Sequence, residues 1–169
     1  MNNGEWRQYG LDSMEKEFVS YIRDIISSRE FQSTKGHRHH INGTVYRHSI
    51  KVAYLCYKHH KRFKPKIDIR ELVRGALLHD FYLYNLHGDG QKHKFHWIKH
   101  PSHALKNATK KYPELTEMQR DMIKHHMFPL TPVPPKTRAG WIICFYDKIA
   151  AVSDRFERKC RPKKRSHKQ

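Results

Sequence analysis

The sequence predicts an all-α fold, a compact helical bundle with its functional site at the centre. Two observations support this prediction. Apolar residues recur at steps of three and four in segment after segment, as in Ile69, Leu72, Val73, Ala76 and Leu77. The alternation of apolar and polar residues that marks half-buried strands is absent. With 169 residues, the chain is long enough for one domain with a substantial core.

The first third of the chain predicts two helices joined by a polar connection. Apolar residues from Leu11 to Ile26 predict a helix over residues 12–30. Residues 31–43 contain turn residues and the cluster His37, His39 and His40, whose role the sequence leaves open. A second helix, Thr44–Phe63, follows with Thr44 as its candidate N-cap.

The remaining segments alternate helices with loops. The predicted helices are Asp68–Tyr82, Pro101–Lys111, Thr116–Met127 and Arg138–Arg158, with Asp68 and Thr116 as candidate N-caps and a proline-rich loop over residues 128–137. The apolar face of the last helix is predicted to comprise Trp141, Ile142, Phe145, Ile149 and Val152. We expect residues 1–43 to pack on a main domain of residues 44–158, and residues 159–169 to form a basic, disordered tail.

The pair His79-Asp80 is the main indication of chemistry. It lies near the C-terminal end of a helix whose apolar stripe predicts burial. Burying a carboxylate without a partner is costly, and a bound cation would offset that cost. Further residues of metal-ligand type lie in or beside the other predicted helices: His48, His100, His125, His126 and Asp147.

The order His … His-Asp … Asp resembles the HD-domain superfamily of metal-dependent phosphohydrolases. The resemblance covers roughly residues 40–158 and is nearest to small, stand-alone bacterial HD hydrolases with His-Ser, Leu-Leu-His-Asp-Phe, His-Pro and His-Met-Phe-Pro-Leu elements. The additional histidines resemble the two-metal branch, which includes the HD-GYP phosphodiesterases. One departure is Phe81-Tyr82, where many relatives have Ile-Gly-Lys after His-Asp, so any phosphate contact must come from other residues.

The resemblance implies a ligand set and a reaction. It implies His48, His79, Asp80 and Asp147 around a first metal ion, and Asp80, His100 and His126 around a second. His125 remains an alternative, because adjacent helical side chains point about 100° apart. His79 and Asp80 are the candidate catalytic residues. Imidazole and carboxylate ligands suit one or two divalent ions of Mn, Fe, Co, Ni or Zn. A metal-activated hydroxide would then hydrolyse a nucleotide or another small phosphate ester.

The charge of the chain keeps two other functions open. The formal net charge is +18, and such a surface attracts phosphates and nucleic acids. One alternative is therefore a basic nucleic-acid-binding module with a structural metal, acting through its basic surface and tail; the other is an HD-fold di-iron oxygenase. Three scattered cysteines and the lack of a signal pattern favour a cytoplasmic protein without a membrane partner. Asp154 lies on the same helix face as Asp147 and could support the site by holding a ligand residue, but pairing with Arg155 or Arg158 is the favoured expectation.

Overall fold

The computed structural model describes residues 14–39, 43–83 and 96–159, with the side chains of residues 38–39, 96–97 and 156–159 excluded. Within these ranges the chain forms seven helices and one short ladder of two strands, so the all-α prediction is confirmed. The helices are α1 (Lys16–Ile26), α2 (Arg29–Ser33), α3 (Val45–Phe63), α4 (Ile69–Leu78), α5 (His96–Lys111), α6 (Glu117–His125) and α7 (Arg138–Lys159). The strands β1 (Arg38–His39) and β2 (Gly43–Thr44) pair in antiparallel orientation just before α3.

Local side-chain caps explain where three of the helices begin. At the start of α3, the Thr44 side chain accepts a hydrogen bond from the backbone N–H of Arg47. At the start of α4, the Asp68 side chain accepts one from a backbone N–H in the same way. Thr116 and Gln119 form a reciprocal capping box at the start of α6. The three N-caps predicted from the sequence are therefore observed.

Other predicted boundaries differ from the structure. The predicted first helix is two helices, because the side chain of Ser28 accepts from the N–H of Phe31 and starts α2. Helix α4 ends at Leu78, so His79 and Asp80 lie in the turn after it. Helix α5 begins at His96 rather than at Pro101, which places Pro101 inside the helix. His100 therefore lies within the helix, not at its entry.

Four helices form a closed ring that surrounds the ligand-type residues. Helix α3 packs on α4 and α7, and α6 packs on the same two helices from the opposite side. Gly75 of α4 faces α6, and a Cβ there would lie 2.8 Å from the sulfur of Met122, so the end of that flexible side chain would have to shift. Helix α5 packs on α6, and α1 packs on α4. In the described part of the chain, no helix is both long enough and apolar enough to cross a lipid bilayer.

The predicted packing face of α7 is mostly exposed to solvent. Trp141, Phe145, Ile149 and Val152 lie on the outside of the bundle, and only Ile142 of the predicted set is half-buried. The face that packs on α3 and α6 instead carries smaller residues, among them Ala139, Ile143, Cys144 and Ala150. The apolar spacing correctly predicts a helix, but the prediction of which helix face is buried is wrong.

The start of α7 is fixed by a buried carboxylate from α6. Asp121 accepts hydrogen bonds from the backbone N–H groups of Lys136 and Thr137 at 3.0 and 2.9 Å, and from the Thr137 hydroxyl at 2.7 Å. It also accepts from His125 Nδ1 at 2.9 Å. Gly140 is required here, since a Cβ would lie 2.9 Å from the carboxylate. Asp121 therefore joins α6, the proline-rich loop and α7.

We expect Asp121→Ala to lower the free energy of unfolding by about 2–4 kcal/mol, because it leaves several buried donors without an acceptor. Urea denaturation of the metal-free protein measures this loss. The control is Asp24→Ala, which removes an exposed carboxylate paired with Arg74 and should cost about 1 kcal/mol or less. Equal losses in the two variants would contradict a structural role for the Asp121 contacts.

Candidate metal centre

Six of the seven predicted ligand residues converge in the middle of the helix ring. His48 lies on α3, His79 and Asp80 follow α4, and His100 lies on α5. His126 follows α6, and Asp147 lies on α7. All six side chains are buried.

Two of the histidines are oriented in the same way by the ends of their helices. His79 is the C-cap residue of α4, and its Nδ1 lies 2.8 Å from the carbonyl oxygen of Ala76. His126 is the C-cap residue of α6, and its Nδ1 lies 2.9 Å from the carbonyl oxygen of Ile123. In both cases Nδ1–H donates to a carbonyl that the helix end leaves without an intrahelical partner. Each Nε2 therefore presents its lone pair to the site.

Asp147 stands at the centre of a first group with His48 and His79. Its Oδ1 lies 2.9 Å from His48 Nε2 and 3.5 Å from His79 Nε2. The buried Nε2 atom of His79 makes no hydrogen bond. A nitrogen lone pair that is buried and lacks a donor is the arrangement expected of a metal ligand.

Asp80 links this group to a second one. Its Oδ2 lies 3.5 Å from His79 Nε2, whereas its Oδ1 lies 3.1 Å from His100 Nε2 and 3.5 Å from His126 Nε2. The two histidine nitrogens are themselves 2.9 Å apart. Each oxygen of Asp80 thus faces different histidine nitrogens, one toward His79 and the other toward His100 and His126.

The spacing of these atoms fits metal coordination. Donors bound at about 2.0–2.1 Å to a common ion lie roughly 2.9–3.4 Å apart for right-angle to tetrahedral geometry. The distances around Asp80 and Asp147 run from 2.9 to 3.5 Å. Among the described residues, two groups have ligand atoms close enough together to hold an ion: His48, His79 and Asp147, and His79, Asp80 and His126. Nitrogen and carboxylate oxygen are the donors that borderline divalent ions prefer.

Electrostatics keep both carboxylates ionised. Burial opposes their charge, but the neighbouring histidines outweigh it and hold the pKa values of Asp80 and Asp147 well below their usual range. Burial lowers the pKa of His126, so its imidazole is neutral and able to bind a cation. Burial likewise acts to lower the pKa of His48, but hydrogen bonds to Asp147 and Asp154 raise it to about 9. Without a cation, His48 therefore carries a proton between two carboxylates at neutral pH.

Asp154 contacts one of the predicted ligands. Its Oδ2 lies 3.2 Å from His48 Nδ1, and its Oδ1 accepts from Lys51 Nζ at 2.7 Å. These contacts across α3 and α7 agree with the alternative in which Asp154 supports the site; the side chain of Arg158 lies outside the described residues. A sequence signal existed, because Asp147 and Asp154 lie two helical turns apart on one face.

The structure does not bring every predicted residue to the cluster. The Nδ1 atom of His125 contacts Asp121, and His125 belongs to neither of the two groups that satisfy the metal geometry. Its role as a ligand stays a prediction. Of the His37–His40 cluster, only the His37 side chain is described; it is half-buried, and its backbone carbonyl accepts from the N–H of Val45. His40 lies outside the described residues.

The helix ring with its buried His-Asp cluster defines a class of protein, the helical domains with a candidate metal centre in their core. The family model of the HD domain matches residues 45–159, which is most of the chain, and the protein therefore belongs to the HD-domain family. This membership implies the superfamily of metal-dependent phosphohydrolases. A search of curated proteins and a search of solved structures gave no match.

The adjacent residues His125 and His126 offer a matched test of the ligand set. We expect His126→Ala to lower the affinity for Mn²⁺ or Zn²⁺ at least tenfold, because its Nε2 faces Asp80. We expect His125→Ala to retain wild-type affinity, since its ring contacts Asp121 instead. Competition titration against a chelating dye measures both. Loss of affinity in His125→Ala, or retention in His126→Ala, would contradict this assignment.

Proposed function

We propose that the protein is a metal-dependent phosphohydrolase that acts on a nucleotide or another small phosphate ester. The observation that carries the proposal is the position of Asp80, whose two oxygens face separate groups of histidines. The proposed ligands of the first ion are His48, His79, Asp80 and Asp147. Those of the second are Asp80, His100 and His126, with His125 as an untested alternative.

Divalent ions bound at these residues would supply an activated water nucleophile and would polarise the phosphoryl oxygens. The protein's own contribution is orientation. Backbone carbonyls of two helix ends fix the rings of His79 and His126, so their Nε2 atoms are aimed before any ligand binds. His79 belongs to both groups of donors, and Asp80 belongs to the second group. These two residues are therefore the proposed catalytic pair.

Basic side chains near the cluster are candidates for holding the phosphate. Lys51, Lys124 and Lys148 already donate to Asp154, Ser102 and the carbonyl of His126, respectively. Arg47 and Lys99 are next to proposed ligands in sequence and are exposed. We therefore propose Arg47 and Lys99 as the first residues to examine for contact with substrate.

The test is a hydrolysis screen with untagged protein, first stripped by chelation and then supplied with Mn²⁺, Fe²⁺, Co²⁺, Ni²⁺ or Zn²⁺. The substrates are p-nitrophenyl phosphate, bis-p-nitrophenyl phosphate and a set of nucleotides. We expect turnover that requires added metal and that falls at least a hundredfold in Asp80→Asn, because the substitution removes the bridging charge. Arg62→Ala, an exposed site on α3, is the control and should keep full activity.

Three outcomes would point away from a phosphohydrolase. Turnover that persists in Asp80→Asn would indicate a contaminating enzyme. No turnover, together with salt-dependent binding of RNA or DNA, would favour the nucleic-acid-binding module, which is consistent with seven Lys or Arg among residues 158–169. Metal-dependent oxygen uptake in place of hydrolysis would favour the di-iron oxygenase.

A further inference from the structure

The solvent-facing side of α7 is apolar along its length. Among residues 138–155, the exposed positions are Arg138, Trp141, Phe145, Ile149, Val152 and Arg155. Their spacing of three and four residues places them on one line of the helix. We call Trp141, Phe145, Ile149 and Val152 the apolar stripe. No acidic residue is exposed on α7 among residues 138–155.

The size of the apolar stripe exceeds what isolated surface residues explain. Trp141 is 50% exposed, Phe145 60%, Ile149 39% and Val152 52%. These fractions correspond to about 400 Å² of apolar surface in one patch, since a large apolar side chain spans roughly 150–250 Å². At one end of the stripe, the ring of Trp141 packs edge-to-face on Phe128, with 5.3 Å between the ring centroids. A patch of about 400 Å² matches the largest apolar patch of a typical monomer, which is often a functional surface.

The spacing of the apolar stripe is symmetric about Phe145. Residues 138, 141, 145, 149 and 152 are separated by three, four, four and three positions, which reads the same in both directions. A second α7 in antiparallel orientation, related by a two-fold axis at Phe145, would place Phe145 against its own copy. Trp141 would then face Ile149 of the other copy. The aliphatic stem of Arg138 would cover the second Val152, with its charge in solvent.

We propose that the apolar stripe is the contact surface between two copies of this chain. In this register no arginine faces an arginine, and each large ring meets an aliphatic side chain or its own equivalent. The two stripes together bury about 800 Å², less than the roughly 1,200–2,000 Å² of stable interfaces, so the dimer should be weak and transient. Each copy carries a net charge of +18, so screening by salt should strengthen the association.

Sedimentation equilibrium tests this proposal in about 0.05 M and about 0.5 M NaCl, where screening differs strongly. We expect a monomer–dimer equilibrium that is at least tenfold tighter at high salt. Phe145→Glu should remain monomeric. The control is Lys106→Ala at an exposed position of α5, which lowers the net charge by the same amount and should dimerise like wild type. A wild-type monomer at every concentration would overturn the proposal, as would an unaffected dimer in Phe145→Glu.

A cross-link tests the register separately. In a Cys160→Ser background, Phe145→Cys should form an intermolecular disulfide on treatment with diamide, because the two-fold axis brings this position against itself. Lys106→Cys in the same background should not. Equal cross-linking of the two variants would overturn the proposed axis. Metal content and circular dichroism of each variant serve as folding controls, since Phe145 faces away from the metal centre.

A second inference comes from the contacts of His48 and rests on the proposed metal centre. His48 is held on both ring nitrogens, with Asp147 at 2.9 Å from Nε2 and Asp154 at 3.2 Å from Nδ1. Asp154 is in turn held by Lys51 at 2.7 Å, and Lys51 also donates to Ser153 at 3.0 Å. His79 and His126 lie at helix ends, whereas His48 lies inside α3 and its Nδ1 contacts a carboxylate.

We propose that Asp154 is a positioning residue for His48, and that Lys51 fixes the orientation of Asp154. The carboxylate accepts from Nδ1–H, which leaves Nε2 as the coordinating nitrogen and fixes the plane of the ring. Asp154 thus does for His48 what helix-end carbonyls do for His79 and His126. The Lys51 ammonium keeps the Asp154 carboxylate from rotating toward solvent, because its other oxygen is already engaged.

The test measures Zn²⁺ affinity and the tautomer of His48, neither of which requires activity. We expect Asp154→Ala to bind Zn²⁺ about 10–100-fold more weakly than wild type. Asp154→Asn, which keeps one acceptor oxygen, should recover part of that loss, and Lys51→Met should show a smaller loss than Asp154→Ala. Proton–nitrogen correlation spectra of the Zn²⁺-loaded protein should show protonated Nδ1 on His48 in wild type and a changed signal in Asp154→Ala.

The outcomes separate this inference from the proposed metal centre. If wild type binds no Zn²⁺, the metal centre itself is wrong. If wild type binds Zn²⁺ and Asp154→Ala binds it within twofold, with an unchanged His48 signal, the centre stands and the positioning role is overturned. A lower melting temperature of the metal-free variant without a change in affinity would assign Asp154 a structural role and would likewise overturn the inference.

Discussion

The buried carboxylate of Asp80 is the constraint on which the rest of the site depends. A carboxylate in a helical core is costly unless opposite charge and hydrogen-bond donors surround it. Here the Nε2 atoms of His79, His100 and His126 surround it, and they come from three different parts of the chain. A bound cation would supply the opposite charge. The helices must therefore meet with their ends or inner faces toward Asp80. The closed ring of α3, α4, α6 and α7 satisfies that requirement, since each of these helices delivers one ligand-type residue or the turn that carries it.

The parts of the fold that depend on local interactions could be predicted from the sequence. Thr44, Asp68 and Thr116 were identified as caps because a side-chain oxygen that accepts from a nearby N–H is a local device. The ligand-type residues were found because their order along the chain resembles a family pattern. The break at Ser28 was missed, since apolar spacing runs through it and only the side-chain contact with Phe31 marks the boundary.

The parts that depend on which surfaces meet could not be predicted. The spacing of Trp141, Phe145, Ile149 and Val152 indicates a helix, but it does not say whether that face lies inward or outward. In this bundle the smaller residues of α7 face inward, because Asp147 must reach the cluster and α7 must lie close to α3 and α6. The role of Asp154 is non-local as well, since His48 and Lys51 are about a hundred residues away and only the packing of α3 on α7 brings them together.

The way each histidine is held has a consequence for how the centre responds to change. His79 and His126 donate to backbone carbonyls, which no side-chain substitution removes, so their orientation is a property of the helix ends. His48 depends on side chains instead, and its partner Asp154 is partly exposed.

In the metal-free state the pKa of His48 is raised to about 9, so a proton takes the place between its ring and Asp147 that the proposed ion would fill. Metal binding must displace that proton and is therefore favoured as pH rises toward 9. The His48 side of the centre is thus both the adjustable and the pH-sensitive side, whereas the side formed by Asp80 and His126 is fixed by the fold.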